Sequence, residues 1–89
     1  MKNKKTAIIF GVSGQDGAYL SHFLINKGYD VIGTTRKKSS KNLYRLVRLN
    51  IQKKINILQG DATNKNFCNR ILNSRINEIY YLAGHSSVT

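Results

Sequence analysis

The stretch Thr6–Gly28, TAIIFGVSGQDGAYLSHFLINKG, decides how the rest of the chain is read. Its apolar run Ala7-Ile8-Ile9-Phe10 is too short for a helix and carries β-branched side chains, so it predicts a strand buried on both faces, as in a parallel sheet. Gly11, Gly14 and Gly17 follow at intervals of three. Leu20, Phe23 and Leu24 then fall on one expected face of a helix, and Gly28 stands where that helix would stop. A strand that runs through glycines into a helix gathers bare backbone N–H groups at the positive end of a helix dipole, which makes a phosphate cradle. The first glycine of such a turn permits the reversal, the middle one admits a pyrophosphate to the backbone, and the last lets helix and strand pack closely. The spacing is Gly-x-x-Gly-x-x-Gly, with Val12 and Ser13 between the first two glycines and Gln15 and Asp16 between the last two. A plain glycine-rich turn is the simpler alternative, but the flanking strand and helix favour a nucleotide.

Outward from this unit, Tyr29–Thr35 reads as a second short strand. Its carboxyl end, roughly 20 residues past the glycines, is where a dinucleotide-binding unit selects its cofactor. A carboxylate there would hold the ribose 2′-hydroxyl of NAD. The residues present are Arg36, Lys37, Lys38, Ser39 and Ser40, cations and hydroxyls that suit a 2′-phosphate, so NADP is expected over a merely solvated basic loop. Leu43, Leu46, Val47 and Ile51 then recur at helical spacing. Ile55–Gln59 is a third strand, and Asp61 in the Gly60-Asp61-Ala62 turn either accepts from an adenine amino group or caps the turn, the second being the more ordinary use of an Asp. A helix opens at Asn64 with Phe67, Cys68, Ile71 and Leu72 as its apolar stripe, in which Cys68 reads as a core residue. Glu78–Leu82 is a fourth strand. It runs into Ala83, Gly84, His85 and Ser86, and small residues there let a ligand lie against the backbone.

Strands and helices alternate, and right-handed crossovers then give an α/β, Rossmann-type parallel sheet with helices on both faces and strand order 3-2-1-4, the amino-terminal half of a doubly wound fold. The glycine turn, Arg36, Asp61 and Ala83–Ser86 all fall at carboxyl ends of strands and therefore share one edge. His22 reads as a surface residue, and His85 has no carboxylate or nucleophile to work with. No metal-ligand spacing is present.

At 89 residues the chain makes one small domain. Its 15 Lys and Arg against 4 Asp and Glu give a net charge of +11. The cations are scattered and no aromatic residues interleave them in a stripe, so nonspecific adhesion at low salt is expected rather than specific nucleic-acid recognition. No apolar run is long enough to span a membrane, the start MKNKKTAIIF has no signal-peptide core, and Cys68 is a lone cysteine, all of which lead to an expected cytoplasmic location.

The run Gly11-Val12-Ser13-Gly14-Gln15-Asp16-Gly17-Ala18-Tyr19-Leu20 resembles the opening of the GDP-mannose 4,6-dehydratase family, in the extended short-chain dehydrogenase/reductase superfamily. Arg36-Lys37-Lys38-Ser39-Ser40-Lys41-Asn42 with Arg45 is similar to that family's Arg-Arg-x-Ser-Ser-x-Asn-x-x-Arg loop, and Glu78–Ala83 resembles its Asp-Glu-Ile-Tyr-Asn-Leu-Ala segment. The likeness covers nearly the whole chain. It implies that Gly11 through Asp16 contact the diphosphate of NADP, that Arg36 to Ser39 hold the 2′-phosphate, that Asp61 and Ala62 lie by the adenine, and that Leu82 to Ser86 line the nicotinamide-side ribose. It also implies a nucleotide-sugar substrate and a homo-oligomer in which Asn42 and Arg45 meet a neighbouring subunit. The family's catalytic Tyr-x-x-x-Lys pair has no counterpart, because Tyr80 is followed at position 84 by Gly, and the substrate-binding half is missing too. These 89 residues are therefore expected to be a cofactor-binding portion that is not catalytic alone. The alternatives are the corresponding part of another NAD(P)-dependent sugar-nucleotide epimerase, or a truncated interaction module. A sheet ending at strand four is expected to be marginally stable or to pair its edge with another chain.

Overall fold

The computed structural model describes residues 4–72 and 75–82. The elements run β1 (Thr6–Phe10), α1 (Gln15–Asn26), β2 (Asp30–Thr35), α2 (Ser40–Arg48), a single 3-10 turn (Gln52–Lys54), β3 (Ile55–Gln59), α3 (Lys65–Ile71) and β4 (Glu78–Tyr81). Every strand pairing is parallel and the order across the sheet is β3-β2-β1-β4. The strand that opens the chain thus lies inside the sheet with a neighbour on each side. That position is why Ala7, Ile8 and Ile9 are fully buried and why this run shows no polar alternation.

The two faces are covered by different helices. Ala7, Ile9, Val31 and Ile55 share one face and form a single cluster with Ala18 and Leu24 of α1 and Leu43 and Leu46 of α2. Ile8 and Phe10 alternate to the other face, which the β3–β4 crossover brings to α3. The 3-2-1-4 order and the two-sided cover are those expected from the alternation of strands and helices.

Helix faces were less well predicted. The buried side of α1 is Gly17, Ala18, Ser21 and Leu24, while Phe23 is 56% exposed with the Lys27 Nζ 5.2 Å from its ring centre. Small residues win this face because the helix lies close against the strands, and Ser21 meets its own need by donating its hydroxyl to the Gly17 carbonyl at 2.7 Å. Val47 is likewise outside the core, whereas Leu46 is fully buried.

Both long helices end in the same way. In α1 the Tyr29 amide reaches the Leu24 carbonyl and the Gly28 amide the Ile25 carbonyl, each at 3.0 Å, with Gly28 at φ 91°. In α2 the Ile51 amide bonds the Leu46 carbonyl and the Asn50 amide the Val47 carbonyl, with Asn50 at φ 63°. These left-handed stops return the chain sharply to the next strand, so Ile51 reaches the core from beyond the helix rather than from within it.

β4 is held at the amino edge of the sheet. Asn77 bonds Thr6 with both its amide and its side-chain oxygen, each at 2.8 Å. The Glu78 carboxylate accepts hydroxyls from Tyr29 at 2.7 Å and Tyr80 at 2.5 Å. These bonds hold the Glu78 carboxyl below its usual range, Tyr80 contributing most and Tyr29 next, and they raise both tyrosines above theirs. No helix among the described residues is long and apolar enough to cross a membrane.

Candidate functional site

The glycine turn begins where β1 runs out. Gly11 takes φ 95°, in the left-handed region, and the amides of Gly11 and Val12 both bond the Thr34 carbonyl of β2, at 3.1 and 2.9 Å. The turn is thereby fixed to the neighbouring strand. Val12 puts its side chain into the core against Gly33, fully buried, so its contribution to the turn is the backbone alone. Gly17 explains the tight join of α1 to β1, because a β-carbon there would collide with the Gly11 carbonyl oxygen and lie 2.8 Å from Val12 Cα. Gly14 is different in kind. A β-carbon on it would meet only the Gly11 oxygen, at 3.8 Å, so nothing in the fold requires a glycine there and the space beside it is open.

Gly14 is the N-cap of α1, and no side chain caps it. The first intrahelical bond runs from Ala18 to the Gly14 carbonyl at 2.9 Å, which leaves the amides of Gln15, Asp16 and Gly17, with that of Ser13, without a partner among the described residues. An uncapped helix start that follows a buried strand is the arrangement suited to an anion.

Other strand ends converge on this turn. The Gly60 amide bonds the Thr35 carbonyl at 2.9 Å, and the Leu82 amide bonds the Phe10 carbonyl at 2.8 Å, so the exits of β3 and β4 are tied to those of β2 and β1. Between them lies a cleft of about 500 Å³, lined by Gly11, Ser13, Gly14, Arg36, Asp61 and Leu82 among others. Its size is that of ordinary small-molecule sites. Ser13 and Thr35 join hydroxyls at 3.0 Å across it. A second hollow, of about 430 Å³, lies between α1 and α2, lined by Gln15 at the helix start and by Tyr19, Tyr44, Arg45 and Arg48.

Asp61 takes the role that residue type alone favours. Its Oδ1 accepts from the Thr63 amide at 2.9 Å and the Thr63 hydroxyl at 2.7 Å, closing the turn after β3. These bonds lower its pKa, the backbone bond first, and the Arg36 guanidinium adds to the effect. The carboxylate nevertheless lines the cleft, with Ala62 beside it. Cys68 is half-buried and donates its thiol to the Ala62 carbonyl at 3.2 Å, so it supports this turn rather than filling the core.

The basic loop divides. Arg36 lines the cleft. Lys37 instead offers its carbonyl to Thr35 at 3.2 Å and to the Asn42 side chain at 3.1 Å. Lys38 donates its amide to Gln59 at 3.2 Å and borders a separate hollow with Leu43 and Ile57. Ser39 is the N-cap of α2, accepting from the Asn42 amide at 3.3 Å. Lys41, Asn42 and Arg45 of α2 line the cleft in their place. The sequence gives no direct sign of this, since helical periodicity marks Leu43 and Leu46 but not which polar residues turn toward the strand ends. Gln15 and Asp16 are exposed at the helix start. Ala83, Gly84, His85 and Ser86 lie outside the described residues.

Fold and site together define the Rossmann class of α/β proteins, with the glycine turn at the end of an inner strand and a cleft along the carboxyl edge. Solved structures agree on the fold. One described as a 3-oxoacyl-reductase from Bacillus thuringiensis superposes with a TM-score of 0.74 at 18% identity, over 98% of this chain and 38% of that one. The terminal R domain of the myxalamid pathway gives 0.68 at 16% identity, over 98% of this chain and 26% of that one. The family model for GDP-mannose 4,6 dehydratase matches residues 8–89, and the chain belongs to that family. It is 38% identical over 94 residues to the GDP-mannose 4,6 dehydratase of Cricetulus griseus and 37% identical over 94 residues to that of Homo sapiens, covering 98% of this chain in each case. A Vibrio cholerae GDP-mannose 4,6-dehydratase is 41% identical over 91 residues, or 96% of this chain. The chain spans about a quarter of the length of these curated relatives.

Proposed function

We propose that this chain is the NADP-binding amino-terminal portion of an enzyme that dehydrates GDP-mannose. The observation that carries the reading is the cleft that brings Gly11, Ser13 and Gly14 of the glycine turn together with Arg36 at one edge of the sheet, beside the uncapped start of α1. The amides of Ser13, Gln15, Asp16 and Gly17 would hold the diphosphate, with Gly14 giving it access. Arg36 would pair with a 2′-phosphate, and the turn at Asp61 and Ala62 would border the adenine.

When bound, the nicotinamide supplies a hydride acceptor for the sugar and later returns the hydride. The residues of this chain bind and orient it. Tyr80 is followed by Gly84 and has no Lys partner four residues on. On this reading the proton-transfer groups and the sugar-binding surface belong to sequence other than these 89 residues, and the chain alone turns nothing over. The intact enzyme would be a homo-oligomer, in the cytoplasm, a setting in which the unpaired Cys68 stays reduced.

Titration of the chain with NADP and NAD tests the reading. NADP is expected to bind at least about tenfold more tightly, and Arg36→Ala is expected to abolish most of that preference, the size of one charge-assisted hydrogen-bond pair. Equal affinities for the two nucleotides, or an Arg36→Ala chain that keeps its preference, would refute the assignment of NADP.

A further inference from the structure

β3 is the outer strand of the sheet on the side away from β4, and β2 is its only neighbour among the described strands. In the doubly wound order further strands are added beyond β4, so β3 stays outermost and its free edge is a property of the fold. The Gly60 amide bonds the Thr35 carbonyl of β2. Alternation along a parallel strand then turns the backbone groups of Asn56 and Leu58 toward β2 and those of Ile55, Ile57 and Gln59 outward. The outward groups have no backbone partner among the described residues.

A hollow of about 330 Å³ opens beside that strand. Its base is apolar: Leu43 of α2 and Ile55 are buried, and Ile57 is half-buried. Its exposed margin carries Lys38 and Lys53, with Lys54 next to Lys53 at the start of the strand. No Asp or Glu occurs between Asp30 and Asp61, so α2, the 3-10 turn and β3 bring no carboxylate to this edge. Open backbone groups beside a side-chain pocket are the arrangement by which a sheet takes up an extended peptide, main-chain bonds giving affinity and the pocket receiving an alternate side chain. Charge then decides which peptide. A second copy would set Lys53 and Lys54 against cations like themselves, and lysines on an edge strand exclude such pairing. An extended segment rich in Asp and Glu meets the opposite charge. No aromatic side chain lines the hollow for nucleobases to stack on, and a phosphate backbone offers no ladder of alternating donors and acceptors.

We propose that the β3 edge is a docking site for an acidic, extended segment of a partner protein, which joins the sheet as an added strand beside β3. An apolar side chain of that segment enters the hollow against Leu43, Ile55 and Ile57, and its carboxylates face Lys38 and Lys53. The inference stands apart from the cofactor reading, because the hollow shares no lining residue with the cleft at the glycine turn. Segment and nucleotide therefore bind together without competing.

The test titrates the nitrogen-15-labelled full chain with the peptide acetyl-Glu-Val-Glu-Ile-Glu-Val-Glu-amide at one fixed salt concentration. Beside it run the same peptide with Lys for each Glu, two forms N-methylated at one or the other alternating set of amides, and an oligothymidylate. The acidic peptide is expected to shift the Ile55, Ile57 and Gln59 amides and to slow their hydrogen exchange. The methylated form that blocks the amides facing β3 should bind at least about tenfold more weakly than the parent, the size of one or two lost hydrogen bonds. The lysine peptide should fall at least as far, and Lys53→Glu should weaken the acidic peptide by about threefold, the range of an exposed ion pair. Equal binding by the parent and both methylated forms would overturn the proposal, leaving charge alone. Equal shifts of the same amides by the oligothymidylate would overturn it in favour of a general polyanion surface. Shifts lying elsewhere, or none at millimolar acidic peptide, would overturn it outright.

Discussion

Gly14 and Gly17 occupy equivalent places in the sequence motif but different ones in the molecule. Gly17→Ala would drive a methyl into the backbone of Gly11 and Val12, which has no flexible side chain to yield, so the chain should lose about 3 kcal/mol in urea unfolding. Gly14→Ala meets open space and should cost about 1 kcal/mol or less, yet its methyl would stand where a diphosphate must approach, so nucleotide affinity should drop sharply in a chain that still folds. Parallel denaturation and binding measurements on both variants check the pair. The motif was legible because three glycines at fixed spacing between a strand and a helix have few physical uses. Mechanics alone assigned the last glycine to close helix–strand packing, and the backbone contacts at Gly17 agree. The division within the basic loop could not be read this way. Arg36, Lys37, Lys38 and Ser39 look alike as polar residues, and only the cap at Ser39 and the carbonyl bonds at Lys37 decide which of them turn outward.

Among elements, strands were more legible than helix faces. Ile55–Gln59 matches its expected limits, and β1, β2 and β4 differ from theirs by a residue, because short apolar runs between turn residues leave little choice. The face of α1 was misread at Phe23, since hydropathy ranks Phe above Ser while close helix–strand approach ranks Ser and Gly above Phe. Two predictions belong here. The Asn64 side chain caps α3 by accepting from the Phe67 amide at 2.9 Å, and Asn64→Ala should cost about 1 kcal/mol in denaturant. At β4, Glu78 has a carboxyl held below its ordinary 4.5 by Tyr80 and Tyr29. A carboxyl lowered in the folded state contributes stability above its unfolded value and loses it as pH falls through the folded one. Stability should therefore decline below about pH 4.5, and Glu78→Gln should make that decline shallower in melts followed between pH 3 and 6.

On the scale of the whole molecule, the sheet puts its chemistry on one edge and leaves apolar surface on β4, where Ile79 is 57% and Tyr81 58% exposed. With a net charge of +11 the chain should bind polyanions nonspecifically, and that binding should fade as salt is raised through about 200 mM, whereas the NADP-over-NAD preference should survive. A cofactor that binds only the folded state should add about 2.7 kcal/mol of stability at a hundred times its dissociation constant. The overall topology was readable because a glycine turn between the first strand and its helix marks the doubly wound order with β1 inside, and right-handed crossovers then set the helices on their faces. The contribution of α2 to the cleft was not, since it depends on how far a helix is turned about its axis. The most direct measurement is a nitrogen-15 amide spectrum of the chain titrated with NADP. The account predicts the largest shifts at the Ser13, Gln15, Asp16 and Gly17 amides. Shifts confined to the α1–α2 hollow around Tyr19 and Tyr44, or no shifts at millimolar NADP, would contradict it.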